Sequence, residues 1–285
     1  VNGRLRQEQI FFNLLRLNSL VIVGLLAIIL WFLLSRGAAT AFSWPFLSQM
    51  PRDGMTEGGI LPAIVGTLLL TAVAMVVSLP LGVLSAIYLN EYAKEGVLKR
   101  VIRLATNNLA GVPSVVFGLF GMALFVKGLG FGTSILAGGL TLALVALPII
   151  IRTTEEALKT VPKSYREASL ALGATQWQTV RRVVLPAAAS GILTGSILSV
   201  GRVAGETAPI LFTAAAYFLP RLPDSLLDQV MALPYHLYVI ATSGTQIEKS
   251  RPMAYGTAVV LLMLVTVLNL AAVFLRGRFS KMTKH

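Results

Sequence analysis

At 285 residues, 55% hydrophobic and 13% charged, with a mean hydropathy of +0.77, the chain carries too little charge to stay dispersed as a soluble domain. Its net charge of +12 lies beside long apolar runs, which points to a membrane and away from nucleic acid. The lack of cysteine excludes disulfides, thiolate metal sites and a Cys nucleophile.

A helix needs about 20 apolar residues to cross a bilayer, and six runs fit. They are 17–34, 61–89, 108–126 (interrupted by Gly111 and Pro113), 134–151, 187–205 and 255–275. The predicted fold class is all-α, a polytopic membrane bundle of six transmembrane helices. The first run is followed by no small-residue cleavage signature, so it is expected to be a retained span. Orientation follows from the basic residues. Arg4, Arg6 and Arg16 precede the first run, and Lys94, Lys99, Arg100 and Arg103 lie between the second and third. Arg152, Lys159, Lys163, Arg166, Arg181 and Arg182 lie between the fourth and fifth, and Arg276, Arg278, Lys281 and Lys284 follow the sixth. The other side holds Arg36, Arg52, Lys127, Arg221, Lys249 and Arg251. Both termini are therefore expected in the cytoplasm, with a short segment 1–16 before a membrane domain 17–285.

On the outer side, 36–60 contains Trp44 and Pro45 and is expected to lie along the membrane surface. The segment 207–254 is far longer than a usual connection. Its stretches AAAYFLP (214–220) and MALPYHLYVIATS (231–243) are too apolar for a free loop, and short helices at the outer mouth are expected. His236, alone among tyrosines, reads as a packed polar residue; a metal site needs more ligands.

On the inner side, the loop 152–186 ends in SYREASLALGATQWQTVRRVVLP (164–186), the longest charged, helix-patterned stretch. Ser164 with Glu167, and Thr175 with Gln178, have capping-box spacing. Gly173 stands between them, where a left-handed helix stop belongs. Two short helices joined at a glycine corner are predicted. Tyr165, Ala168, Ser169 and Leu172 share one face of the first, and Trp177, Val180 and Val184 share one face of the second. Such a knuckle is either an ordinary amphipathic loop or a docking surface for a soluble partner.

Glu167-Ala168-Ser169, Gly173 and Leu185-Pro186 resemble the EAA loop of bacterial ABC-importer permeases, with Ser169 departing from the usual third Ala. The stretches GVPSVVFGLFG (111–121), GRVAGETAPILFTAA (201–215) and ALPYHLYVIATS (232–243) are similar to phosphate-importer permeases, specifically their PstA-type subunit. The resemblance implies a type I importer permease fold in a bacterial plasma membrane. It implies a second, homologous permease subunit, two ATP-binding subunits and an external phosphate-binding protein as partners. ATP and magnesium would then belong to the partner ATPase, with no cofactor in this chain. Glu167 and Gly173 match the family's EAA positions, and Ser164, Tyr165, Glu167, Ala168, Ser169, Leu172 and Gly173 of the knuckle are expected to couple the membrane domain to that ATPase.

No lysine follows a glycine, so the chain has no P-loop; neither histidine stands in H-E-x-x-H. No catalytic residue is assigned, and the chain is not read as an enzyme by itself. In or just beyond the fifth run, Arg202 and Glu206 are four residues apart and share a face. Counted at 1.5 Å per residue from Ala187, Arg202 lies roughly 22 Å into a core of about 30 Å. It either snorkels to the outer interface or faces an anion path, where a planar guanidinium suits phosphate-like oxygens. Gly191, Gly195, Gly201 and Gly205 allow close helix packing around it. An ATP-driven phosphate importer subunit is the reading chosen. A permease for another oxyanion, an autonomous anion channel or carrier, and a scaffold or sensor without pore residues remain open.

Overall fold

In a bilayer every backbone N–H and C=O must be satisfied within the protein, so the apolar runs have helix as their one solution. The computed structural model describes residues 2–242 and 247–282, with side chains described for 8–242, 250–274, 276 and 277. Among the orienting residues, the side chains of Arg4, Arg6, Lys249, Arg278, Lys281 and Lys284 lie outside this set, as does Ser243 of the outer stretch.

Helix α1 (Asn2–Ala41) rests on α12 (Ile247–Met282), with the Phe32 and Tyr255 rings edge to face and Gly37 against the Tyr255 backbone. Its other faces expose Leu20, Trp31 and their neighbours, as suits a helix facing lipid. A short helix α2 (Trp44–Ser48) and a hairpin pairing Pro51–Arg52 with Glu57–Gly58 follow. Helix α3 (Leu61–Ile87) widens into a π turn over Tyr88–Tyr92. Helix α6 (Ile135–Lys159) runs parallel to it, with Gly139 against Val73 and Gly82 against Ile150.

The third expected span is corrected. Gly111 and Pro113 do not merely interrupt it; they turn the chain through 104°. Before the bend, α4 (Val97–Leu109) is a basic amphipathic helix; after it, α5 (Ser114–Gly121) continues as a π turn over Met122–Gly128. Pro113 has no N–H to continue a ladder and restricts the residue before it, so the helix must restart. Five helices are long and apolar enough to cross a membrane, or six if the bent pair counts as one.

The knuckle's second helix and the fifth span prove to be one rod. Helix α8 (Gln176–Thr179) widens over Val180–Val184 and runs on as α9 (Leu185–Gly205). Pro186 does not close the segment, because the widened turn absorbs its missing donor. In the outer segment, α10 (Ala208–Leu211) and α11 (Leu233–Thr242) are helical as expected. The stretch 214–220 is not, and Ala215 instead bridges to Val230.

Three apolar clusters stack along the bundle. Ile60, Met231, Leu233 and Ile240 fill one end; Leu70, Leu142, Ala146 and Ile210 fill the middle; Leu158, Val161, Val180 and Val184 fill the knuckle end.

Candidate functional site

Glycines set the depth of Arg202. A side chain at Gly191 would meet Ala157, and one at Gly195 would meet Thr153, so α9 lies antiparallel against α6 at backbone distance. Four residues along α9 correspond to four back along α6. Seven more bring Arg202 level with Ala146, midway along Ile135–Lys159. This corrects the count from Ala187. By the same register Ala187 is level with Val161, already past the end of α6, so the count began outside the bundle. Arg202 therefore lies level with the middle of α6, itself long and apolar enough to cross a membrane. A charge there is costly unless it has a wet path or a partner.

Arg202 is 46% exposed on a flank that α3, α6 and α12 leave uncovered. Its Nε lies 3.3 Å from Glu206 Oε1. Among the described residues its two terminal nitrogens have no partner, so most of the donor fork is free. Glu206 is four residues on but no longer helical: it ends α9 in an extended conformation, and its carboxylate turns back to the arginine. On the neighbouring side, a Cβ at Gly201 would meet Asn269 at 3.0 Å, and Asn269 Oδ1 is buried without a partner.

The three outer motif stretches converge beyond this point. Gly118 of α5 sits against Phe212, Ala208 and Pro209, leaving no room for a side chain. The Ala214–Val230 backbone pair and the Leu233 N–H donating to Thr67 Oγ1 at 2.8 Å tie α10 and α11 to α3. His236 is packed, as expected, with Nδ1 3.4 Å from Thr257 Oγ1; burial pushes its pKa down to about 4, so the imidazole is neutral.

At the other end, the knuckle forms a corner. Helix α7 (Lys163–Ala171) starts after Pro162, so Ser164 lies inside the helix and is not its cap, a correction of the first capping box. Proline pre-sets the entry that a hydroxyl would otherwise secure. The second box is present: Thr175 Oγ1 accepts from the Gln178 N–H, and the Gln178 side chain accepts from the Thr175 N–H. Gly173 has φ +82°, as a left-handed stop requires, and open space where a Cβ would go.

The faces separate more sharply than the pattern implies. Tyr165, Glu167, Ala168 and Trp177 are exposed, and Leu172 is 89% exposed. Ser169 instead turns inward, its hydroxyl 2.9 Å from that of Thr179. Val180 and Val184 are buried against α6, so Trp177 does not share their face. Sequence reasoning missed what holds the corner in place. Arg166 donates Nε to Glu91 Oε2 at 3.0 Å and Nη2 to Glu91 Oε1 at 2.7 Å. It also donates to the carbonyls of Val161 and Leu158, at 2.8 and 2.9 Å. Gln176 adds a hydrogen bond to the Glu91 carbonyl. The one sequence signal was an acidic residue, Glu91, at the inner end of a span among basic neighbours.

A family profile described as "Binding-protein-dependent transport system inner membrane component" matches residues 78–285. A Mycobacterium tuberculosis protein named "Phosphate transport system permease protein PstA 1" is 38% identical over 253 residues, covering 87% of this chain and 81% of that protein. A Haemophilus influenzae protein named "Phosphate transport system permease protein PstA" is 34% identical over 252 residues, 88% and 87% of the two chains. Bacillus subtilis has one named "Probable ABC transporter permease protein YqgI", 34% identical over 264 residues, 88% and 87%. Among solved structures, the permease of a bacterial alginate ABC transporter crystallised with its periplasmic protein superposes with a TM-score of 0.61 at 16% identity, over 93% of this chain and 96% of that one. An inward-facing MetNI methionine ABC transporter gives 0.58 at 21% identity, over 78% and 94%. These two support the fold alone.

Proposed function

The chain belongs to the binding-protein-dependent transport system inner membrane component family, multi-pass proteins of the plasma membrane, and from that premise we propose that it is the permease subunit of an ATP-driven phosphate importer. One observation carries the reading at residue level: a guanidinium at mid-depth, on a flank left bare by its own bundle, with most of its donors free. A second, homologous permease subunit covering that flank would enclose a narrow wet path. Phosphate would then exchange water for the fork of Arg202 and move on, because Glu206 competes for the same guanidinium and keeps the stop brief.

At the opposite end, the exposed face of Tyr165, Glu167, Ala168, Leu172 and Trp177 offers the ATPase apolar bulk and a carboxylate with no ion-pair partner among the described residues. Ser164, Ser169 and Gly173 shape the corner behind that face. Two copies of the ATP-binding subunit hold ATP and magnesium, an external phosphate-binding protein delivers substrate, and this chain performs no catalysis itself. Closure of the ATPase pulls the knuckle. The α8–α9 rod takes the pull directly to Arg202, and the Arg166–Glu91 clasp takes it to α3. The proposal keeps 1–16 as a cytoplasmic segment and 17–285 as the permease domain.

Proteoliposomes holding the whole complex, ATP in the lumen and loaded binding protein outside, test this. Radiolabelled phosphate is expected to accumulate only with ATP and the binding protein, and a sulfate excess is expected to leave it unchanged. Flux through this chain alone without ATP would sink the reading in favour of an autonomous carrier. Accumulation of sulfate in place of phosphate would favour another oxyanion.

A further inference from the structure

Beside the knuckle, α4 and α6 border a cleft of about 230 Å³ that neither the path nor the docking face uses. Arg103, Thr106 and Asn107 line it from α4, and Arg152, Glu155 and Lys159 from α6. The cations here are loosely held. Arg103 Nε is 3.4 Å from Glu155 Oε1, Arg152 Nε is 3.4 Å from Glu156 Oε1, and Lys159 Nζ is 4.0 Å from Glu155 Oε2. Among the described residues the terminal nitrogens of both arginines and the side-chain amide of Asn107 have no hydrogen-bond partner. Thr106 already donates to the Ile102 carbonyl. The cleft thus presents two open guanidinium forks, an ammonium and an amide, next to carboxylates that can accept a proton-bearing oxygen.

We propose that this cleft is a binding site for free inorganic phosphate on the cytoplasmic side, through which accumulated product restrains further import. The inference rests on the phosphate reading above. Phosphate at neutral pH keeps a P–OH to donate to Glu155 or Glu156, whereas sulfate and the phosphodiester of a lipid headgroup have none, so the carboxylates select against both. A bound phosphate bridges α4 to α6, and α6 leads within four residues into α7. Bridging therefore ties the knuckle's root to a neighbour and opposes its displacement.

The test uses the whole complex in proteoliposomes with ATP inside, loaded binding protein outside, and luminal phosphate varied. In the wild type the initial uptake rate should fall as luminal phosphate rises, and luminal sulfate at the same concentrations should have no effect. Asn107→Ala and Arg152→Gln, each removing one arm, should shift half-inhibition about tenfold upward, the size of one lost charge-assisted contact. Their uptake without luminal phosphate should match the wild type. Equal inhibition in the wild type and both variants would overturn the proposal and place any feedback elsewhere in the complex. Equal inhibition by sulfate would overturn it too. So would a defect in both variants that appears only in liposomes containing phosphatidylglycerol, since the occupant would then be a headgroup. A wild-type complex that moves no phosphate would overturn the import reading and this one with it, a result distinct from active uptake with unchanged feedback.

Discussion

Two arginines on this chain each face a glutamate and do opposite things. Arg166 spends four hydrogen bonds on Glu91 and two carbonyls, in a setting where the carboxylate is only 8% exposed. Arg202 meets Glu206 once, at 3.3 Å, and leaves its fork bare at mid-depth. Residue type is the same and saturation is not. A saturated guanidinium has nothing left to give a ligand and acts as a clasp. An unsaturated one in a costly place has donors to spare, which is what the proposed phosphate stop requires.

The largest expected effect separates them by transport. Arg202→Ala should cut the initial uptake rate by at least about hundredfold, because two charge-assisted bonds of about 1.5–3 kcal/mol each would be lost from the path. Arg202→Lys should recover a small part, having charge but no fork. Retention of half the wild-type rate in the alanine variant would break the comparison.

Stability should reverse the ranking. Arg166→Met strands a buried carboxylate and is expected to cost about 3–5 kcal/mol in detergent unfolding, with Glu91→Leu in the same background restoring much of it. Arg202→Met should change stability by no more than about 1 kcal/mol, because that pair is half-open. Similar losses at both sites would mean that both pairs are clasps.

A smaller effect isolates the corner between them. Gly173→Val meets no neighbouring atom, yet forces a β-branched residue to φ +82°, at about 1–2 kcal/mol. Uptake should be lost with the protein still inserted, and Gly173→Asn, which tolerates that region, should keep it. Normal uptake by the valine variant would show that the corner transmits nothing.

The smallest effect concerns a polar group with no charge to pair. His236 is buried neutral with its pKa lowered from 6.5 to about 4. Unfolding lets it take up a proton, so it lowers stability progressively as pH falls from about 6.5 towards 4 and contributes no slope above that window. Melting temperatures of the wild type and His236→Gln should differ in slope only there. Parallel curves would mean that the ring takes up its proton as readily folded as unfolded.

Much of this was legible in the chain. The apolar runs, the glycine stop at Gly173 and the Thr175–Gln178 box rest on local rules and were found where the rules put them. What failed was either overridden by a residue close by or set by a neighbour distant in sequence. Ser164 had cap spacing, but Pro162 had already set the helix start. Gly111 and Pro113 looked like an interruption because a sequence does not show the angle at which two helices leave a break. The depth of Arg202 needed the Gly195–Thr153 contact, and the Arg166–Glu91 clasp joins residues 75 apart. That depth and that clasp are set by tertiary packing, which local periodicity does not encode.

The central claim is that Arg202 faces a wet path that phosphate enters. Because the chain has no cysteine, Arg202→Cys places one thiol where the guanidinium stood. The measurement is its modification by a charged, water-soluble methanethiosulfonate reagent in the assembled complex during ATP turnover. The account predicts ready modification, because water reaches the position although the variant no longer holds phosphate there. A thiol that never reacts would contradict it.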